Sequence, residues 1–259
     1  MSDVRVERLG RVRRVTIERP QARNALTREV VLGLTATLEA AATDVDVRVV
    51  VLTGAGGHFC AGADLRKSFE DDPEFLDHLD VYMREYHALI RSIVRCPKPV
   101  IAQVDGAAVG FGADMALASD LRVISTAAYL EERFVKIGLL PDGGGTFWLP
   151  RLVGTARAMQ MILLAERVDA PRMKELGLVA NVVPPEELEA AVNVLAERLA
   201  AGPPLAYAAI KRSVYASLGD IEGALARERE EQLKLLRSKD AMEGVMSFLQ
   251  KREPQFTGA

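Results

Sequence analysis

The chain has 259 residues, 49% of them hydrophobic and 27% charged, which suits one large domain or a domain with a smaller appendage. Its net charge of −3 argues against a nucleic-acid-binding protein, because such proteins carry a clustered basic excess. Two cysteines are too few for a disulfide framework, no apolar run approaches the roughly 20 residues of a membrane span, and the N-terminus lacks the apolar stretch of a secretory signal. We therefore expect a cytoplasmic globular protein without a nucleic-acid or membrane partner.

The first half of the chain alternates strand and helix patterns. Thr27 is placed to cap the first helix, and Pro97 and Pro99 end the second. Strand patterns lie at residues 14–18, 47–53, 100–104 and 121–125, and helix patterns at 27–42 and 73–95. This alternation, with spacers of helix length, predicts an α/β unit whose sheet is covered on its faces.

Beyond Gly154 the patterns are mostly helical, with one short strand pattern at residues 179–183. The charge-dense run 226–234 predicts a solvated helix face with ion pairs one turn apart. The helix patterns lie at residues 156–165, 171–176, 186–201, 205–218, 221–236 and 240–251. We assign residues 1–200 to an α/β core and 201–259 to a C-terminal helical region.

Two loops rich in small residues, at 58–65 and 105–114, each follow a strand pattern. Small residues leave main-chain N–H groups accessible, and a helix N-terminus adds unpaired donors with positive potential. Such loops suit an anion or a developing oxyanion. Ordinary tight connections in an α/β protein are the alternative.

Several other kinds of site do not fit the residues. Residues 110–115 lack the third glycine of a dinucleotide-binding loop, and 143–146 lack the lysine of a phosphate loop. The three histidines have no metal-ligand spacing, no serine-hydrolase motif occurs, and Cys60 is better explained as a small buried residue than as a nucleophile. Acids near the glycine turns remain as candidates: Asp64, Asp114, Glu131, Glu132 and Asp142.

Taken together, the motifs resemble the enoyl-CoA hydratase/isomerase (crotonase) superfamily over nearly the whole chain. The matching segments, in order, are residues 19–26, 59–65, 98–102, 105–112, 118–120, 138–144, 176–179 and 248–252. The resemblance implies an α/β fold, a crotonase-like superhelix of repeated ββα turns, with a C-terminal helical region used for trimerisation. It also implies a homotrimer or a dimer of trimers, with an acyl-CoA thioester as substrate and no separate cofactor or metal.

By the family pattern, the N–H groups of Ala63 and Phe111 form an oxyanion hole for the thioester carbonyl. The nucleotide end of CoA is expected near residue 23, and its adenine and pantetheine along residues 61–65. The residues expected to contact substrate are Arg23, Ala25, Leu26, Ala61, Asp64, Leu65, Gly110, Phe134 and Pro141.

The sequence departs from the usual hydratase pattern at its two catalytic glutamates. Asp114 stands at the first position and Phe134, which cannot exchange a proton, at the second. Glu132 is close to the second position but out of register with it. Hydration by Asp114 with Glu132 or Asp142 stays as an alternative.

Asp142 matches the catalytic aspartate of the isomerase branch, and the pattern is most similar to the phenylacetate-pathway enoyl-CoA isomerase. That similarity includes residues 136–142 and 254–258. One carboxylate is enough for a 1,3-proton shift, so we expect a double-bond isomerase with Asp142 as acid and base. The remaining alternatives are an aryl-CoA dehalogenase, with Asp142 as nucleophile and His87 beside it, and a non-catalytic acyl-CoA-binding or RNA-binding relative.

Overall fold

Nine strands in two β-sheets run through the computed structural model, which describes residues 3–217, 221–252 and 254–255. The strands are β1 (Val4–Leu9), β2 (Val12–Ile17), β3 (Val49–Gly54), β4 (Val100–Val104), β5 (Ala107–Val109), β6 (Leu121–Ser125), β7 (Tyr129–Glu131), β8 (Val168–Asp169) and β9 (Asn181–Val183). The larger sheet has the order β1-β2-β3-β4-β6-β9, and β5, β7 and β8 form the smaller one. In the larger sheet β1 pairs antiparallel with β2, whereas the other pairs are parallel and require cover on both faces.

Helices supply that cover. The described helices are α1 (Arg28–Thr43), α2 (Leu65–Asp71), α3 (Leu79–Arg95), α4 (Phe111–Ala118), α5 (Gly145–Val153), α6 (Thr155–Leu163), α7 (Ala170–Glu175), α8 (Leu188–Ala200), α9 (Pro204–Ser217), α10 (Ile221–Leu235) and α11 (Lys239–Gln250). In β3, Val50 and Leu52 join the core shared with α1 and α3, whereas Val49 and Val51 join the smaller core beneath α8. Successive side chains of a strand point to opposite faces, so one apolar strand serves both cores.

The predicted strands are all present, and the first helix begins as expected, with Thr27 Oγ1 accepting the N–H of Val30 at 3.3 Å. One predicted boundary is wrong: α3 begins at Leu79 and not at residue 73. The side chain of Asp72 accepts the N–H of Glu74 and bonds to His78, which holds residues 73–78 in turns. The patterns also missed β1, whose residues are mostly exposed, and the shorter elements α2, α5, β5, β7 and β8.

The helices after residue 200 pack back onto the core. On α9, Lys211 Nζ pairs with the Asp120 carboxylate at 2.5 Å, and the Tyr215 hydroxyl donates to the same carboxylate at 2.8 Å. Farther along, α10 contacts α3 and α5, and α11 contacts the 3₁₀ turn Arg133–Ile137. The division at residue 200 stays a prediction, and the family-like residues 256–258 lie outside the described part of the chain.

No helix among the described residues combines the length and the apolar character that crossing a membrane requires.

Candidate active site

A cavity of about 570 Å³ lies between the two glycine-containing loops, α3, the segment after the 3₁₀ turn, and the last two helices. Its wall includes Ala63 from the first loop, Phe111 from the second, and Asp142. Gln232 of α10 closes the same wall. Residues from distant parts of the chain therefore meet at one apolar pocket, which is the usual form of a small-molecule site.

The first loop runs beside residues 24–26 as a short parallel bridge between Leu26 and Ala63. The Leu26 N–H donates to Gly62 O at 2.8 Å, and the Asp64 N–H donates to Leu26 O at 2.9 Å. Because alternate N–H groups of an extended chain point to opposite sides, the Ala63 N–H is directed away from Leu26. Because Ala63 lines the cavity, we infer that this N–H lies on the cavity side of the loop.

The second loop ends where α4 begins, at Phe111. Gly110 before it has φ 53° and ψ −127°, a conformation that favours glycine. The first N–H groups of a helix have no acceptor within the helix, so the Phe111 N–H is free to serve a ligand. Among the described residues, neither this N–H nor that of Ala63 donates a hydrogen bond.

The two loops touch. Gly62 has φ 90°, and a Cβ added to it would lie 2.9 Å from Val109 O and 3.4 Å from Phe111 N. A parallel bridge between Cys60 and Ala108 joins the same loops. Their close approach brings two unused main-chain donors to one wall of the cavity, an arrangement suited to an oxyanion.

Asp142 is 7% exposed and follows the 3₁₀ turn. Its Oδ2 accepts a hydrogen bond from Gln232 Nε2 at 2.7 Å. Burial raises the pKa of the Asp142 carboxyl to about 7, although the Gln232 hydrogen bond opposes that rise. A carboxyl with this pKa takes up and releases a proton with comparable ease near neutral pH.

His87 holds the backbone of Asp142. Its Nε2 is 2.9 Å from the Asp142 carbonyl oxygen, and because a carbonyl only accepts, this nitrogen donates. Burial lowers the pKa of His87 to about 4, so the ring is neutral at pH 7. With its Nε2–H engaged by the main chain, His87 holds the position of Asp142.

Gln232 is a site residue that the sequence did not reveal. It lies in the charge-dense run 226–234, which was predicted to be a solvated face, yet it is 1% exposed. Its Oε1 accepts the Leu140 N–H at 3.4 Å. The available signal was its spacing from the buried Leu225 and Leu236, seven residues before and four after, which places all three on one helix face.

The two acids predicted for hydration lie behind the cavity wall. Asp114 is fully buried, and its Oδ2 accepts the Gly143 N–H at 2.9 Å. A Cβ added to Gly145 would lie 2.6 Å from Asp114 Oδ1 and 3.1 Å from Glu132 Oε1, so both carboxylates face the start of α5. Asp114 thus holds the turn that carries Asp142.

The predicted substrate-binding residues divide between the cavity and its surroundings. Asp64 caps α2 and pairs with Arg19 Nη2 at 2.9 Å. Ala61, Leu65, Gly110 and Phe134 line the cavity. Arg23 is exposed, whereas Ala25, Leu26 and Pro141 are buried outside the lining. Cys60 is fully buried and burial raises its pKa to about 12, which fits a packing residue.

A family model described as "Enoyl-CoA hydratase/isomerase" matches residues 7–259. The chain belongs to the enoyl-CoA hydratase/isomerase family. It is 42% identical to a "Probable enoyl-CoA hydratase" of Rhodobacter capsulatus, over 94% of this chain and 93% of that protein. It is 38% identical to the "1,2-epoxyphenylacetyl-CoA isomerase" of Escherichia coli, over 94% of each chain.

A solved structure supports the same assignment. The crystal structure of an enoyl-CoA hydratase from Mycobacterium avium subsp. paratuberculosis superposes with a TM-score of 0.90 at 40% identity, covering 98% of each chain. The α/β architecture described above is therefore that of the crotonase superfamily. The relatives of this enoyl-CoA hydratase/isomerase family member carry names of both reactions, so the choice between them rests on the acids at the cavity.

Proposed function

We propose that the protein isomerises the double bond of an acyl-CoA thioester, with Asp142 as the acid and base. One observation carries this proposal: Asp142 is the only acid among the described residues that line the cavity. A 1,3-proton shift needs one carboxylate, whereas the addition of water by the two-carboxylate route needs a second one beside the substrate.

The first step removes a proton from the carbon next to the thioester carbonyl, or from its vinylogous position. The electrons of that C–H bond move onto the carbonyl oxygen and give an enolate. The N–H groups of Ala63 and Phe111 donate to this oxygen. Loss of one such donor in other enzymes costs about 3–4 kcal/mol, so two preorganised donors supply a substantial part of the catalysis.

In the second step Asp142, whose carboxyl hydrogen exchanges with solvent, delivers a proton to the carbon at the other end of the conjugated system. The double bond moves by one position, and neither atoms nor electrons are gained overall. Both steps need a carboxyl that can hold and release a proton, which the pKa of Asp142, raised by burial to about 7, allows. His87 holds the backbone of Asp142 in place, and Gln232 holds its carboxylate.

Hydration is the second candidate, favoured by the name of the relative from Rhodobacter capsulatus. It would use Asp142 together with Asp114 or Glu132. The position of these two acids, facing Gly145 behind the wall, supports isomerisation over hydration. A rearrangement of the turn that carries Gly143 would be needed to bring them to a bound water.

Incubation with hex-3-enoyl-CoA in heavy water, followed by mass analysis of the acyl group, tests the proposal. We expect conversion to hex-2-enoyl-CoA with deuterium uptake and no gain of a water molecule. The Asp142→Asn variant serves as the matched control and should leave the substrate unchanged. Accumulation of a hydroxyacyl-CoA by the wild-type protein would instead identify a hydratase.

We also propose that the protein assembles as a homotrimer or a dimer of trimers. Large apolar side chains are exposed on α6 and α9, among them Leu163, Leu205 and Ile210. Where such side chains form a contiguous patch, they mark an interaction site. Light scattering should give three or six times the chain mass of 28.2 kDa, and a monomer at micromolar concentration would contradict the proposal.

A further inference from the structure

The part of the cavity wall that faces away from the loops is hydrocarbon and aromatic. It is built from Leu79 and Met83 of α3, with Phe75 before that helix and Leu236 after α10. Phe75 packs edge-on against Tyr82 with ring centres 4.7 Å apart. This packed wall can make apolar contacts with an acyl chain, and it contains no charged group.

The hydroxyl groups along the wall are turned to partners in the protein. Tyr82 donates to Asp72 Oδ2 at 3.3 Å, and Tyr86 donates to Leu26 O at 3.1 Å. Ser68 and Ser247 donate to the carbonyl oxygens of residues 64 and 244, at 3.1 and 2.9 Å. Each hydroxyl has one hydrogen to donate, so none of the four is left for an acyl group.

The three cations that line the cavity are partly exposed to solvent, and each lies near a carboxylate, with Lys136 and Arg133 sharing that of Glu131. Lys136 Nζ is 3.0 Å and Arg133 Nε 3.6 Å from Glu131 Oε1, and Arg252 Nη2 donates to Glu243 Oε2 at 2.7 Å. Their side chains are 49%, 52% and 42% exposed. No other lysine or arginine occurs among the described lining residues. In the part of the wall built from Phe75, Leu79, Met83 and Leu236, a substrate carboxylate would find no cation.

We infer that this site selects acyl-CoA esters whose acyl group is uncharged and apolar, and discriminates against esters of dicarboxylic acids. The inference rests on the proposed acyl-CoA function and narrows its substrate class. An ionised carboxylate loses its hydration on entering an apolar pocket, and only a cation or several donors there can replace it. The two main-chain donors near Ala63 and Phe111 are reserved for the thioester oxygen.

The test compares binding of hexanoyl-CoA and adipoyl-CoA by titration calorimetry. The two esters have the same carbon chain and differ in one terminal group, and neither has a double bond to react. We expect adipoyl-CoA to bind at least tenfold more weakly. Equal affinities would overturn the inference and leave the proposed function standing, whereas both esters binding no better than free CoA would overturn both.

A variant tests the position of the charge-free wall. Met83→Lys places a cation in this wall and should lower the ratio of hexanoyl-CoA affinity to adipoyl-CoA affinity at least tenfold. Met83→Leu adds no charge and should leave that ratio unchanged. An unchanged ratio in a folded Met83→Lys protein would overturn the inference. Because the wild-type comparison needs no variant, the inference is testable even where Met83→Lys does not fold.

Discussion

The side-chain amide of Gln232 donates a hydrogen bond to Asp142 Oδ2 at 2.7 Å, across 90 residues of sequence. The donor belongs to α10, and the acceptor belongs to the turn before α5. A helix that follows the sheet-bearing part of the chain thus orients Asp142, the one acid that the described part of the chain places in the cavity wall. Its hydrogen bond also favours the ionised carboxylate and limits how far burial raises the pKa of Asp142.

Gln232→Leu should therefore raise the pKa of Asp142 further. The base must be ionised to remove a proton, so the acid limb of the kcat/KM profile should move to higher pH than in the wild-type protein. Lys234→Gln, an exposed change on the same helix, is the control and should leave that limb in place. If the pH profiles of Gln232→Leu and the wild-type protein superimpose, Gln232 does not control the pKa of Asp142.

Asp142→Asn should reduce turnover by orders of magnitude while the affinity for a saturated acyl-CoA is retained. The amide keeps the size of the carboxyl but cannot accept a proton, and general acid–base catalysis typically contributes about 10²–10⁴-fold. Steady-state kinetics and calorimetry measure the two quantities separately. Near-normal turnover in this variant would refute the assignment.

The same substitution should stabilise the fold at neutral pH. The carboxyl of Asp142 has a pKa of about 7 when folded against 3.8 for the free side chain, so the folded state binds the extra proton. Stability is then lost as pH rises from about 4 to about 7, up to a limit of about 4 kcal/mol at about 1.4 kcal/mol per pKa unit. Denaturation of both proteins at acidic and neutral pH should show the advantage of Asp142→Asn growing with pH. A difference in the free energy of unfolding that does not change with pH would contradict this prediction.

Gly62→Ala should lower kcat by about 10²-fold or more, because it pushes apart the loops that hold the two donors. The added Cβ meets Val109 O at 2.9 Å, and the φ of 90° is unfavourable for alanine. Gly177→Ala is a matched control, since its φ of 71° is also unfavourable but nothing lies within 4 Å of the new Cβ. The control should lose stability and keep kcat. Equal kinetics of the two variants would contradict the role of the loops.

Asp114→Asn should keep most of the proton-shift activity. The amide oxygen of asparagine can still accept the Gly143 N–H, which holds the turn. Asp114→Ala removes that acceptor and should lower the free energy of unfolding by about 1–3 kcal/mol. A loss of more than about 10²-fold in a folded Asp114→Asn protein would assign Asp114 to the chemistry, since that is the scale of general acid–base catalysis.

In the larger sheet the strands β2, β3, β4, β6 and β9 followed from local patterns, whereas β1, whose residues are mostly exposed, did not. The strand β7 was missed because three residues are too few to show a period, and α5 was missed because it begins at Gly145 and contains Pro150. Local patterns predicted only part of the site. The loops around Ala63 and Phe111 can be identified from their small residues. The role of Gln232, in contrast, depends on a contact with Asp142 that no local pattern predicts.

Glu132 and Asp114 illustrate the same limit. Both are acids near glycine turns, and nothing in their neighbouring residues says that they face α5 and not the cavity. Direction follows from packing among several elements, which a linear pattern does not contain. The start of α3 at Leu79 was missed because it also depends on a side-chain contact. The Asp72 side chain bonds to the Glu74 N–H and to His78, and these bonds hold residues 73–78 in turns before the helix begins.

The two donors that we propose for the thioester oxygen are peptide groups, and this has an evolutionary consequence. Any amino acid but one carries an N–H, so changes at positions 63 and 111 leave the donors in place unless they introduce proline. Asp142, by contrast, is a side chain that a single codon can replace. Descendants of this scaffold can therefore acquire new reactions by altering one acid, while the part that stabilises the anion is inherited intact.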